Sequence, residues 1–231
     1  MIRLVRLFGT SIGQKLVVAL TGALMLGFLI GHMLGNMAVF QGPDALNSYA
    51  AWLKGHPFVW VVRSGLLTIF LVHVVMTLRL ALENRHARST KYQRTPTRSA
   101  GFTSRYMVLT GLLVIAFVVY HLLHFTLGTI QPENAALMDA QQRHDVYSMV
   151  VLGFQNPLVA ASYVVAMLLL GVHLMHGAAS VFQTFGINHD SYDVVIRYGT
   201  FGLVTLIVVG NCSIPLLILA GAVPLVGGAV R

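Results

Sequence analysis

The sequence predicts an all-α integral membrane protein, a bundle of five transmembrane helices forming one domain over residues 1–231. Three observations carry this. The residues are 56% hydrophobic and only 10% charged, where a soluble domain carries roughly 25% charged residues. The apolar stretches reach the ~20 residues that cross a bilayer. They are also continuous, as in LVVALTGALMLGFLIGHMLG, and do not alternate as the strands of a membrane barrel do.

The elements follow in order. A first span covers about 15–40; the segment after the basic start MIRLVRLFGTSIGQK is too long for a signal core and lacks a cleavage site, so it is expected to remain as a helix. The second span covers about 58–82, with Pro57 just ahead of its first turn. A charged linker, 83–104, contains Pro96 and leads to the third span, 105–127. The connection 128–156 holds Glu133, Asp139, Arg143, His144 and Asp145, and is expected to include a short interfacial helix. Pro157 opens the fourth span, 157–182. A short loop, 183–196, includes His189, Asp190 and Asp193. The fifth span covers 197–219, where Pro215 is expected to kink it, and 221–231 forms a tail.

The net charge of +8 invites a nucleic-acid partner, but its distribution excludes one. Arg3, Arg6 and Lys15 precede the first span, and Arg79, Arg85, Arg88, Lys91, Arg94, Arg98 and Arg105 lie in or beside the second connection. The first and third connections hold Lys54 and Arg143, each offset by acids in the same loop. This is the positive-inside pattern. It predicts a cytoplasmic N-terminus and, with five spans, an external C-terminus. The basic inner face is suited to anionic membrane lipid or to a partner subunit.

Four histidines stand at matched depth in four successive spans. His32 follows Lys15 by 17 residues; His73 follows Pro57, His121 follows Arg105 and His173 follows Pro157, each by 16. Ionisable residues inside a span are costly and mark function. At 1.5 Å per residue, 16 residues cover about 24 Å of a ~30 Å hydrocarbon core. Antiparallel succession then places His32 with His121 near the outer face and His73 with His173 near the inner face, at levels roughly 18 Å apart. Two stacked imidazole pairs inside a helix bundle are what two bis-histidine haems of the b type require. A hydrogen-bonded structural histidine is the alternative for any one of them. Zinc would need three or four ligands at one point. Cys212 is the single cysteine, so there is neither a disulfide nor a C-x-x-C-H attachment, and any haem is held without thioether links.

Other residues are weighed around these pairs. His124 and His176 lie three residues past a proposed ligand and ~4.5 Å nearer the interface. They are expected beside a haem propionate, or else as interfacial polar groups. Arg63 is expected near the outer pair and a propionate. Arg79 has two readings, a propionate contact or an i,i+4 ion pair with Glu83. Gly27, Gly31 and Gly35 form a small-residue stripe that admits a neighbouring helix or a flat macrocycle. His56, His86, His144 and His189 fall in loops or at interfaces and are expected to be solvated. Phe28, Met33, Phe117 and Tyr120 are taken as apolar filling, and the fifth span as scaffold. No catalytic triad, phosphate loop or paired carboxylate appears, so no catalytic residue is assigned.

The segments SIGQKLVVALTGALMLGFLIGHMLGN, QGPDALNSYA, LVHVVMTLRLAL, YHLLHFTLGT, DVYSMVVLGFQNP and GVHLMHGAASVFQTFGIN resemble, in order, the cytochrome b membrane subunit of succinate dehydrogenase in its single-chain, five-helix, diheme form. The resemblance implies His32 with His121 and His73 with His173 as axial ligands, and favours His121 over His124 and His173 over His176. It implies a flavoprotein and an iron–sulfur subunit docked on the cytoplasmic face of a bacterial cell membrane. Electrons would leave succinate through these subunits and the two haems for a quinone, menaquinone being usual. Related fumarate reductases carry an acid where this chain has Gly171, so a fumarate reductase using that path is disfavoured, while reversal of the reaction stays open. Lys54, His56, Trp60 and Arg63 are candidates for an outer quinone site; an inner site is the alternative. A stand-alone transporter or a diheme sensor remains the competing class.

Overall fold

The computed structural model describes residues 10–86, 106–187 and 189–226. Arg3, Arg6, Arg88, Lys91, Arg94, Pro96, Arg98 and Arg105 lie outside the described residues. In chain order the helices are α1 (Ser11–Asn36), α2 (Pro43–Gly55), α3 (Phe58–His86), α4 (Met107–His121), α5 (Pro132–Ala135), α6 (Val146–Gln155), α7 (Pro157–Thr184) and α8 (Asp190–Leu219). A 3-10 segment, Met37–Gln41, continues α1, and a π turn, Leu122–Thr126, continues α4. Among the described residues there is no strand, only an isolated bridge between Met138 and His144. Five helices are long and apolar enough to cross a membrane: Ser11–Gln41, Phe58–His86, Met107–Thr126, Pro157–Thr184 and Ser191–Leu219. The chain is therefore an all-helical, multi-pass protein.

Local chemistry explains where these helices begin and end. Thr10 caps α1, its hydroxyl accepting from the Gly13 N–H at 3.1 Å. Gly42, at φ 103°, provides the left-handed break that ends the Met37–Gln41 segment, and Pro43 opens α2. The Asp145 carboxylate caps α6 by accepting from Ser148 N–H at 3.0 Å. The Asn156 side chain caps α7 by accepting from Leu158 N–H at 3.0 Å, with Pro157 at the first helical position. The His189 imidazole caps α8 by accepting from Ser191 N–H at 3.2 Å.

Several boundaries differ from the sequence expectation, among them the start of α1, at Ser11 rather than near 15. The first connection is mostly the helix α2, which its mixed polar composition conceals. α3 runs on to His86. α8 begins at Asp190, not at 197, because His189 supplies its cap; Asp193 therefore stands on a helix and not in a loop.

α7 is the central helix. It packs along α8 and also against α1, α4 and α6. α3 packs against α1 and touches α4 only slightly; it buries none of its residues and lies at the edge of the bundle. α2, α5 and α6 close one end, called here the cap. Its core joins Val39, Leu46, Tyr147, Val151, Phe154, Tyr163, Ile214 and Ile218. Buried Asn47 ties the cap together, donating to Asp145 at 2.9 Å and Asp139 at 3.3 Å and accepting from Tyr147 N–H at 2.9 Å. Arg143 closes the outer edge with 2.8 Å and 2.7 Å ion pairs to Asp139 and Asp44.

Candidate functional site: two histidine pairs

The bundle sets His32 beside His121, and His73 within electrostatic range of His173. Nearer the cap, the rings of His32 on α1 and His121 on α4 stand edge to face, centroids 5.8 Å apart. Two nitrogens bound to one metal ion at about 2 Å each, plus the half-widths of two rings, need roughly this span. Deeper in the bundle, His73 on α3 and His173 on α7 are close enough to interact electrostatically.

Each deep histidine rests on a Thr-Gly pair of a neighbouring helix. Thr21 Oγ1 lies 3.0 Å from His73 Nδ1, and Thr110 Oγ1 lies 3.4 Å from His173 Nδ1. Thr21 commits its single hydroxyl proton to the Val17 carbonyl at 2.7 Å. Thr110 commits its own to Tyr106 or Met107, both at 3.1 Å. Toward the imidazoles these hydroxyls can only accept, so Nδ1 of each histidine carries the hydrogen and Nε2 keeps a free lone pair. The network assigns this tautomer, and it is the arrangement a metal-ligating histidine needs. The adjacent glycines make the approach possible: a Cβ on Gly22 would stand 3.3 Å from His73 Cε1, and one on Gly111 would stand 3.3 Å from His173 Cε1.

The upper pair is framed by aromatic rings. Phe28 stacks on His32 at 5.4 Å, and Phe117 lies 6.0 Å from His121. The Tyr163 hydroxyl is 3.4 Å from His121 Nδ1. It is also 3.0 Å from Nδ1 of His124, whose Nε2 meets Gln131 Oε1 at 3.0 Å. His124 is thus buried with both ring nitrogens engaged and stacks on Phe125 at 3.9 Å. His176 is half-buried and has no hydrogen-bond partner among the described residues.

These partners were missed in the sequence, yet a signal is there. LTG stands at 20–22 and again at 109–111. In each copy a Phe follows Thr by seven residues, at Phe28 and Phe117, and a His by 11, at His32 and His121. Phe28 and Phe117 are therefore ring neighbours of the histidines rather than filling. Tyr163 gives no comparable signal, because only packing brings α7 to α4.

The other candidates fall elsewhere. Arg79 ion-pairs with Glu83 at 2.8 Å, the second of its two readings, and Glu83 also accepts from Gln14 at 3.2 Å. Arg63 is exposed, with its guanidinium over the Trp60 ring at 5.2 Å from the centroid, and makes no contact with His32 or His121. His56 meets the Trp52 ring at 4.9 Å. Burial, then the nearby Arg63 charge, hold the Lys54 ammonium below its usual range. Lys54, His56, Trp60 and Arg63 thus gather where α2 meets α3, at the cap end. His144, expected to be solvated, is half-buried, with Nε2 on the Ala135 carbonyl at 2.8 Å. In the glycine stripe, Gly35 receives the Tyr49 ring, while Gly27 and Gly31 face open space. A Cβ on Gly171 would press on Val208 of α8 at 2.8 Å.

Among the described residues no three His, Cys, Asp or Glu side chains converge to hold a bare ion. Each pair offers two nitrogens, so a metal seated there must bring the rest of its coordination with it. Compared with known proteins, the chain matches no family model, no curated protein and no solved structure.

Proposed function

We propose that this chain is the membrane anchor and electron-transfer subunit of a succinate:quinone oxidoreductase, holding two b-type haems and delivering electrons to a quinone, menaquinone being the favoured one. One observation carries this: two imidazole pairs at two depths in an apolar bundle, with three of the four rings tied at Nδ1 and free at Nε2. The residues fit the group. His32 and His121 would hold one haem, and His73 and His173 the other. A haem bound in either place supplies one-electron chemistry at its iron.

The chain's own residues do the rest. Thr21, Thr110 and Tyr163 orient the ligands and set their tautomers. Phe28 and Phe117 pack their rings beside His32 and His121 and would help hold them in place. Gly27 and Gly31 leave the room a flat macrocycle needs. Arg79 is paired with Glu83 and is given no propionate role. Gly171 packs against Val208 of α8, so the acid of that fumarate reductase path has no counterpart at this position.

The partners proposed are a flavoprotein and an iron–sulfur subunit at the end of the bundle away from the cap, in a bacterial cytoplasmic membrane with the N-terminus inside. The quinone is proposed to bind at the cap end, near Lys54, His56, Trp60 and Arg63. A reduced-minus-oxidised spectrum of the purified chain tests the cofactor: two bis-histidine haems per chain are expected, and none would leave a transporter. Co-purification of flavin and iron–sulfur subunits tests the assignment to succinate; a diheme chain without them would be a sensor.

A further inference from the structure

We propose that Tyr163, backed by His124 and Gln131, is the positioning residue that sets the redox potential of the centre at His32 and His121; this rests on the haem reading above. The direction of every hydrogen bond in the chain follows from its far end. Asn134 Nδ2 donates to Gln131 Oε1 at 3.0 Å, which identifies that atom as an acceptor. His124 therefore donates from Nε2 to Gln131, and its Nδ1 is bare. A bare Nδ1 accepts the Tyr163 hydroxyl proton at 3.0 Å. With its proton spent, the Tyr163 oxygen accepts from His121 Nδ1–H at 3.4 Å. His121 Nε2 is left as the ligand nitrogen.

Two features make this chain a lever. Its central hydroxyl is held in place: Tyr163 is buried, with Phe117 and Phe154 edge-on at 5.1 and 4.9 Å and Phe125 and Tyr120 each at 5.6 Å. It is also the sole polar handle on its pair, because among the described residues His32 has a stacked Phe28 and no hydrogen bond. Accepting a proton bond from Nδ1 raises the basicity of the ligand nitrogen. A more basic ligand favours ferric over ferrous iron and so lowers the potential. The deep pair is held instead by Thr21 and Thr110, so the two centres are tuned separately.

The test is a spectroelectrochemical titration of the purified full-length chain with its haems, wild type against Tyr163→Phe and Gln131→Leu. Phe keeps the ring and removes the acceptor. Tyr163→Phe is expected to keep two haems and to shift one component positive, by roughly tenfold in its reduced-to-oxidised ratio, or 59 mV for one electron. The shifted component should be the one that disappears in His121→Ala. Gln131→Leu should move the same component less far. Two retained haems with unchanged potentials, or a shift of the component lost in His73→Ala, overturns the proposal while leaving the haem assignment intact. If Tyr163→Phe does not assemble, Gln131→Leu decides: a selective positive shift supports the lever and an unmoved potential rejects it. A wild-type chain without haem rejects the functional reading itself, and this proposal with it.

Discussion

Thr21 and His73 meet across two helices at 3.0 Å, and the threonine has already given its proton to its own backbone. The threonine thereby fixes which imidazole nitrogen carries the hydrogen. Replacing Thr21 or Thr110 by Val keeps the shape and removes the acceptor. Each change is expected to weaken binding at the deep centre by roughly tenfold, as losses behind a metal ligand commonly do. Haem titration of the apo chain measures it; equal affinity in wild type and both variants would show that the hydroxyls do not orient the rings.

Loss of cofactor should follow the pairing. His32→Ala and His121→Ala are expected to abolish one spectral component, and His73→Ala and His173→Ala the other. Haem-to-protein ratios near half the wild-type value, with two distinct residual spectra, are the expected result. The pairing fails if His32→Ala and His73→Ala remove the same component.

Gly22 and Gly111 lack the side chain that would push the deep rings aside. A Cβ at either already stands 3.3 Å from an imidazole carbon, and the methyls of valine reach further. Gly22→Val and Gly111→Val are expected to displace His73 and His173 and to lose the deep haem. Gly202→Ala, on α8 with open space around it, should retain both. Spectra of the three variants decide; a Gly22→Val chain with both haems would mean the helices shift to make room.

His124 should matter for stability rather than ligation. His124→Ala removes the acceptor of the buried Tyr163 hydroxyl proton, at a cost of about 1–3 kcal/mol. Two haems are expected to remain, with a lower midpoint in detergent unfolding. His176→Ala, which breaks no hydrogen bond, should change neither. Loss of a full haem from His124→Ala would make it a ligand.

The cap should loosen in acid. Burial first, then the Lys54 charge, hold the His144 imidazole below its usual range. A histidine depressed on folding stabilises the fold above its ordinary value of ~6.5, and that contribution fades as pH falls below it. The Asp139 carboxyl, held low by hydrogen bonds and charge from Arg143 against the opposing effect of burial, adds a second loss below ~3.9. Amide exchange at Tyr147 and Ser148 should speed up as pH drops through 6 in wild type, after correction for intrinsic rates, and much less in His144→Gln. Identical pH profiles would exclude His144 as the cause.

The sequence alone determined the five helices, because a run of ~20 apolar residues has one stable form in lipid. It also determined how far along their helices His32, His73, His121 and His173 stand from the motifs around them, because helical rise is constant. It carried the LTG repeat and with it Thr21, Gly22, Thr110 and Gly111. Only the tertiary structure decided what lies across a helix–helix contact: that α7 brings Tyr163 to His121 and His124, that Arg63 turns outward onto Trp60, and that Arg79 goes to Glu83. Such contacts depend on the rotation of one helix against another, which apolar sequences without a strong stripe leave open. Asn47, which reaches 98 residues along the chain to Asp145, belongs to the same class. Its partners are invisible until the cap has closed over them.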